Sequence, residues 1–345
     1  MTKHLATRTR LVHAIGIVAM GSMLFASQAS HRPLNGTIWS ANRSSHTIRG
    51  FDASTGAVVA TVAMAAGSQP GDLAHAKGKI YVAEEFGTPP AIAIVDPEAG
   101  VVIDRVLLPG GARPHHVHAS VGGNLIAAGL FGTDSVAVLD TRDDTVVGIW
   151  DSNPLTSNGR VHAAVFSKDG NTLYLAIDVT GELAAIDPHT GQVFWRMPVP
   201  AVHEIAVTHD GKSAYVTRRG ANRLSLVHLE TQTFEDVLTL PLPDTLQLSA
   251  NEKLLTVGLR SSPAQLAVVD TSTFTAELVT LSLPGENTTI GGHQWTSPGG
   301  RFTFASYEGG ANPGVAVIDH ADENRVVQRL GYAGRPHGVD HVRPF

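Results

Sequence analysis

Seven times along this chain an apolar pair runs into an acidic residue and then a turn, at nearly constant spacing. The segments are GFDASTG (50–56), IVDPEAG (94–100), VLDTRDD (138–144), AIDPHTG (185–191), VHLETQT (227–233), VVDTSTF (268–274) and VIDHADE (317–323). Their acids, Asp52, Asp96, Asp140, Asp187, Glu230, Asp270 and Asp319, are separated by 44, 44, 47, 43, 40 and 49 residues. Chance does not hold such a register, and a period in this range marks a repeat architecture.

The interior of each unit says which one. A short strand such as AAVFS (163–167) or EIAVT (204–208) comes first, then a turn such as KDGN (168–171), HDGK (209–212) or PGGR (298–301). A second strand follows, such as LYLAI (173–177), then a third ending at the repeat acid and a fourth such as VVIDRVLL (101–108). β-Branched residues, Asp-Gly turns and the lack of 3.6-residue periodicity all indicate strands. Four strands in about 40–45 residues is a propeller blade. The first unit starts on its second strand, at GTIW (36–39), and the missing first strand is supplied by RPHGVDHV (335–342). The expected fold is therefore all-β: a seven-bladed β-propeller of four-stranded blades, its first blade closed by the C-terminal strand. Residues 30–345 are expected to form one propeller domain. The 35 glycines and 19 prolines, spread along the 345 residues, suit a fold with this many turns.

The first residues follow different rules. Lys3, Arg8 and Arg10 precede an apolar run at 11–26, and Ser27-Gln28-Ala29 is a small-x-small cleavage site. Residues 1–29 read as a secretory signal peptide, with an uncleaved N-terminal anchor as the alternative. The mature protein is then expected in the periplasm or secreted, with no membrane span. There is no cysteine, which excludes disulfides, thiolate metal ligands, haem attachment through cysteine and a lipoprotein anchor. With 16 % charged residues and a net charge of -6, the chain lacks the basic face that nucleic acid requires.

Seventeen histidines are the compositional excess, and three of them crowd into GARPHHVHAS (111–120). Aligning the blades on the Ser or Thr that ends each innermost strand (Ser120, Ser167, Thr208, Ser249, Ser297) explains why. Five positions earlier stand His115, His162, His203, Asp244 and Gly292; RPHGV (335–339) parallels RPHHV (113–117) and adds His337, and Gly71 fills the seventh slot. The next column holds His116, His293, Glu204 and Asp72, beside Ala163, Thr245 and Gly338. Innermost strands line the propeller axis, so histidines distant in sequence are expected at one mouth of the central channel. Neutral imidazoles suit zinc, copper, iron or nickel.

Candidate metal ligands are thus His115, His116, His162, His203, His293 and His337, with zinc or copper the expected ion. Candidate pocket partners are His118, Glu204, Asp244, Arg160 and Trp295. Of the adjacent pair Arg218 and Arg219, at most one can face the channel. The repeat acids read as turn locks, and isolated histidines such as His189 and His228 as solvated positions. No GxSxG, HExxH or Walker sequence is present.

The segments KDGNTLYLAIDVTGELAAIDPHTGQVFW (168–195) and HDGKSAYVTRRGANRLSLV (209–227) resemble the YVTN repeats of bacterial and archaeal propellers. IYVAEEF (80–86) and IWSANRS (38–44) look like that repeat's signature strand. The resemblance covers about residues 35–345 and implies the fold. It implies no single activity, because similar propellers include lactonases, a streptogramin lyase, the copper-sulfide domain of nitrous oxide reductase, surface proteins and metal chaperones. Three functions follow as expectations. The first is an exported protein binding a transition metal at the channel mouth, in metal handling; the His/Asp-rich N-terminal tail of a carrier is missing, as only His31 lies in HRPLNG (31–36). The second is a lactonase-like hydrolase or lyase using the same His/Glu pocket on a small molecule. The third is a non-enzymatic scaffold for protein or glycan. The protein partner, the substrate and the choice between enzyme and binding protein stay open at this stage.

Overall fold

The computed structural model describes residues 34–151 and 159–342. The expected signal peptide at 1–29 lies outside them. The described residues form seven four-stranded antiparallel sheets. In the blade that carries the three crowded histidines the strands are, innermost first, Pro114–Ala119, Leu125–Leu130, Ser135–Asp140 and Thr145–Asp151. Six blades are built this way from consecutive strands. In the seventh, Pro336–Val342 pairs antiparallel with Thr37–Asn42, and Thr47–Asp52 and Val58–Ala63 complete the sheet. Each innermost strand packs beside those of both neighbouring blades, so the ring closes. The expected seven-bladed propeller, with its C-terminal strand completing the first blade, is the observed fold.

Packing explains the strand composition. Middle strands such as Leu125–Leu130 and Ala91–Asp96 are buried almost throughout, because both faces meet an adjoining blade. Tyr81, Ile92 and Ile94 of one blade, for example, share a core cluster with Val117, Ile126 and Leu139 of the next. Each such side chain contributes about 1.5–3 kcal/mol on full burial. Outermost strands such as Val101–Leu107 are largely exposed, and their sequences mix charge with apolar residues.

The repeated polar residues lock turns. Asp52 Oδ1 accepts the Ser54 and Thr55 N–H groups at 3.0 and 2.7 Å, and Asp96 Oδ1 accepts those of Glu98 and Ala99 at 2.9 and 3.0 Å. Asp187 and Asp270 do the same. The Ser/Thr that ends each of five innermost strands locks the following hairpin. Its hydroxyl accepts the N–H five residues on, as from Leu125 to Ser120, Thr172 to Ser167 and Phe302 to Ser297, each at 3.0 Å.

One irregularity decides what the channel can hold. In every blade the pairing of the innermost strand slips near its start: Val161 opposes Ile177 but Ala163 opposes Ala176, and Val202 opposes Arg218 but Glu204 opposes Thr217. The same slip falls between Pro114 and Val117, Pro70 and Leu73, Pro243 and Leu246, Ile290 and Gln294, and opposite Pro336–Val339. A bulge breaks strict alternation and turns two consecutive side chains toward one side.

Candidate metal centre in the axial channel

Because of the bulges both histidine columns reach the axis: His115 and His116 line one cavity, as do Asp244 and Thr245. The channel divides into a mouth, a deep ring and a chamber on the far side.

The mouth is a cavity of about 250 Å³ lined by His115, His162, His203 and His337 and by ion pairs. Glu85 accepts Arg43 Nη2 at 2.6 Å and Arg113 Nη2 at 3.0 Å, and its Oε2 lies 3.2 Å from His115 Nδ1. Asp244 accepts Arg219 Nη1 at 2.6 Å and Arg260 Nε at 2.7 Å, and sits 2.8 Å from His203 Nε2. Arg160 grips Asp178 with two bonds of 3.2 and 3.0 Å. Burial works against both Glu85 and Asp244, but the histidine bonds and the guanidinium charges outweigh it and hold each carboxyl below its usual range. Phe131 stacks on His115, with ring centroids 3.9 Å apart.

The deep ring is different. His116, Glu204 and Asp72 are 2–3 % exposed and His293 is 8 % exposed. His116 Nδ1 lies 3.8 Å from Asp72 and 3.9 Å from Glu204, and His162 Nδ1 lies 3.7 Å from the other Glu204 oxygen. None of these is a hydrogen bond. Both ring nitrogens of His116, both Glu204 oxygens, His162 Nδ1, His293 Nε2 and His337 Nδ1 are buried without a hydrogen-bond partner. Burial, then neighbouring rings, push His116 and His162 far below the ordinary histidine range. Burial first, then Asp72 and Asp244, pushes Glu204 well up. Burial likewise takes His293 down to about 3. The rings are thus neutral bases with lone pairs to offer.

The donor atoms of His115, His116 and His162 lie within 4.8 Å of one another, and so do those of Asp72, His116 and His293, and of His116, His118 and Glu204. Bonds of about 2.0–2.1 Å need donors roughly 3–4 Å apart, so small side-chain rotations bring any of these sets to ligand distance. His115 Nδ1 lies 3.2 Å from both Glu85 Oε2 and Arg43 Nη2, and in the tautomer whose Nδ1 donates to Glu85 its Nε2 is open to an ion.

Among the six expected ligands, His115, His116, His162 and His293 fall in these groups. His203 and His337 do not: His203 Nε2 is held by Asp244 and Arg219, while His337 lines the mouth. Of the expected pocket partners, Glu204 is in the deep ring, and Asp244 and Arg160 are in the mouth. Arg219 reaches the mouth, whereas Arg218 bonds Asp236 and the Pro200 carbonyl. His118 and Trp295 line the far chamber, a cavity of about 340 Å³ shared with Asp72, Gln247 and Asp340. Trp295 lies against His341, with centroids 4.7 Å apart. Burial pushes Asp340 up to about 7.

Sequence reasoning missed Arg43, Glu85, Phe131 and Asp178 as site residues. All four stand one position after the second strand of their blades, and Arg219 and Arg260 share that register. This second column is visible in the repeat alignment once the second strands are aligned as carefully as the first.

A model of the lactonase, seven-bladed β-propeller family matches residues 110–287. No curated protein matches the chain. Similar solved structures include hydrazine synthase from Kuenenia stuttgartiensis, 18 % identical with a TM-score of 0.68, covering 82 % of this chain and 92 % of that one. A candidate 6-phosphogluconolactonase from Bacteroides fragilis is 16 % identical with a TM-score of 0.65, covering 89 % and 98 %. A functionally unknown protein from Desulfotomaculum acetoxidans is 13 % identical with a TM-score of 0.69, covering 90 % and 100 %. At these identities the likeness is one of fold.

Proposed function

The chain belongs to the lactonase, seven-bladed β-propeller family, and from that premise we propose that it binds a transition-metal ion, zinc or copper, in its axial channel. The observation that supports this is the deep ring: buried imidazole nitrogens and the Glu204 carboxylate with no hydrogen-bond partner, centred on His116. An unpaired buried polar group costs about 1–3 kcal/mol, and so many in one place are a poor arrangement for a structural core and a good one for a ligand. Nitrogen donors from His115, His116 and His162 would hold the ion, or His116 and His293 with an oxygen from Asp72. Glu85, accepting from His115 Nδ1, would hold that ring with Nε2 toward the ion. A bound ion of this kind supplies Lewis acidity and lowers the pKa of coordinated water. The protein's role on this reading is metal handling in an exported, periplasmic or secreted setting. The narrower kinship with YVTN-repeat propellers is part of the same proposal.

Family membership favours a second reading, lactone hydrolysis at the same pocket, and the open mouth above the ring gives a small molecule room to approach. Elemental analysis of purified mature protein, reconstituted with zinc and with copper, tests the first reading. A stoichiometric ion that a strong chelator removes is the expected result, and none after reconstitution ends it. Lactone turnover that needs that ion would join the two readings; turnover that survives its removal would separate them.

A further inference from the structure

We propose that the ion reaches the deep ring from the far chamber and not through the mouth, an inference that rests on the metal reading above. The two approaches differ in charge. At the mouth, five guanidiniums (Arg43, Arg113, Arg160, Arg219, Arg260) face three carboxylates (Glu85, Asp178, Asp244), an excess of two positive charges. A hydrated divalent cation approaching there is repelled. Among the described residues no lysine or arginine lines the chamber, whose two acids are Asp72 and Asp340. An approach free of cationic side chains does not repel a cation, whereas the excess positive charge of the mouth does.

The chamber also leads somewhere. Asp72 lines its inner end, and Asp72 Oδ2 stands 3.8 Å from both His116 Nδ1 and His293 Nε2. Exposure rises from the buried Asp72 to the half-buried His118, Val165, Gln247 and Asp340, so the chamber opens to water. His118 Nε2 and Gln247 Oε1 are buried without a hydrogen-bond partner on its wall. They offer an incoming ion replacements for its water ligands before it meets the ring. The deep ring closes the chamber off from the mouth, so an ion from this side passes no arginine.

The experiment is stopped-flow zinc loading of the metal-free protein, read with a competing fluorescent chelator, on a charge series at Gln247. Gln247→Arg is expected to slow association at least tenfold with unchanged stoichiometry, while Gln247→Met, which removes the amide oxygen but adds no charge, slows it by much less. Gln247→Glu should accelerate loading, with the gain shrinking as salt rises. Arg160→Gln at the mouth should leave the rate within twofold. A flat Gln247 series with faster loading in Arg160→Gln would place the route at the mouth and overturn the proposal alone. Zinc that fails to bind the wild type at equilibrium would overturn the metal reading and the route together. Should Gln247→Arg fail to fold, Gln247→Glu and Arg160→Gln still decide, since one route predicts a change and the other none for each.

Discussion

The mouth and the deep ring lie one residue apart along the same strands, yet the acids of the mouth, Glu85 and Asp244, are paired and Glu204 of the deep ring is not. At the mouth each carboxylate has a guanidinium within 3.0 Å, so the charges answer one another inside the protein. One step deeper, His116, His293 and Glu204, with His162 of the mouth column beside them, bring imidazole and carboxylate no closer than 3.7 Å and carry orphaned atoms. Paired charges explain themselves as structure. Unpaired imidazoles, held neutral by burial, are the groups that the proposed ion would pair.

The largest effect should come at the centre of the deep ring. His116→Leu is expected to reduce zinc affinity at least ~100-fold, since His116 belongs to all three donor groups. The same substitution should raise the stability of the metal-free protein by roughly 1–3 kcal/mol, because it removes two unsatisfied buried nitrogens. Isothermal titration and urea unfolding after chelation measure the two effects. A variant that binds zinc normally, or is destabilised when metal-free, would erase the contrast with the mouth.

The next test removes one acid from each tier. Asp244→Ala leaves Arg219, Arg260 and His203 without their shared partner. The expected cost is about 3 kcal/mol, at the low end for a broken buried pair because both arginines keep contact with water. Glu204→Gln breaks no hydrogen bond and should change metal-free stability by less than ~1 kcal/mol, while weakening zinc binding. Equal losses in urea unfolding would mean that the deep ring is as structural as the mouth.

How much of this was legible follows from what each feature depends on. The blades were readable because a turn acid and a strand-ending Ser or Thr recur at fixed offsets, and each does the same local work in every blade. The column from His115 to His337 was readable because it keeps that register. That His116 and Glu204 face the axis beside His115 and His203 is different: alternation alone would turn them away, and the bulge that admits both is marked only by a proline in four of the seven blades (Pro70, Pro114, Pro243 and Pro336), which reads equally as a plain strand start. Nor could an alignment tell His203, held by Asp244, from His116, held by nothing. Pairing depends on side-chain reach across blades, which a one-dimensional register does not contain.

A smaller effect is expected in the chamber. Asp340 accepts the His75 and His341 N–H groups and faces Asp72, and burial raises its carboxyl to about 7 from an unfolded value of 3.8. The folded state therefore holds the proton more tightly between those values. The stabilisation is fully present below pH ~4 and is lost as pH rises through about 7. For a half-buried carboxyl that amounts to roughly 1–2 kcal/mol. Asp340→Asn should flatten the pH dependence of stability between pH 4 and 7 relative to wild type. An unchanged slope would show that Asp340 is ionised throughout, which strengthens the chamber's attraction for cations and sharpens its difference from the mouth.

The smallest effect belongs to the repeat acids, the third kind of polar residue here. Asp52 is held down to about 2 by the side-chain bonds of Ser54 and Thr55, then by the Thr55 N–H. A lowered folded pKa contributes stability that is present above the unfolded value near 3.8 and lost as pH falls toward 2. Asp52→Ala should therefore lower the urea midpoint slightly at pH 7, and the gap from wild type should narrow as pH falls from about 4 toward 2. Zinc loading should not change, because this acid closes a turn and lines neither the mouth nor the chamber. If loading did change, carboxylates remote from the axis would be shaping the channel through the blades, and the division into self-satisfied and waiting groups would have to be redrawn around the whole ring.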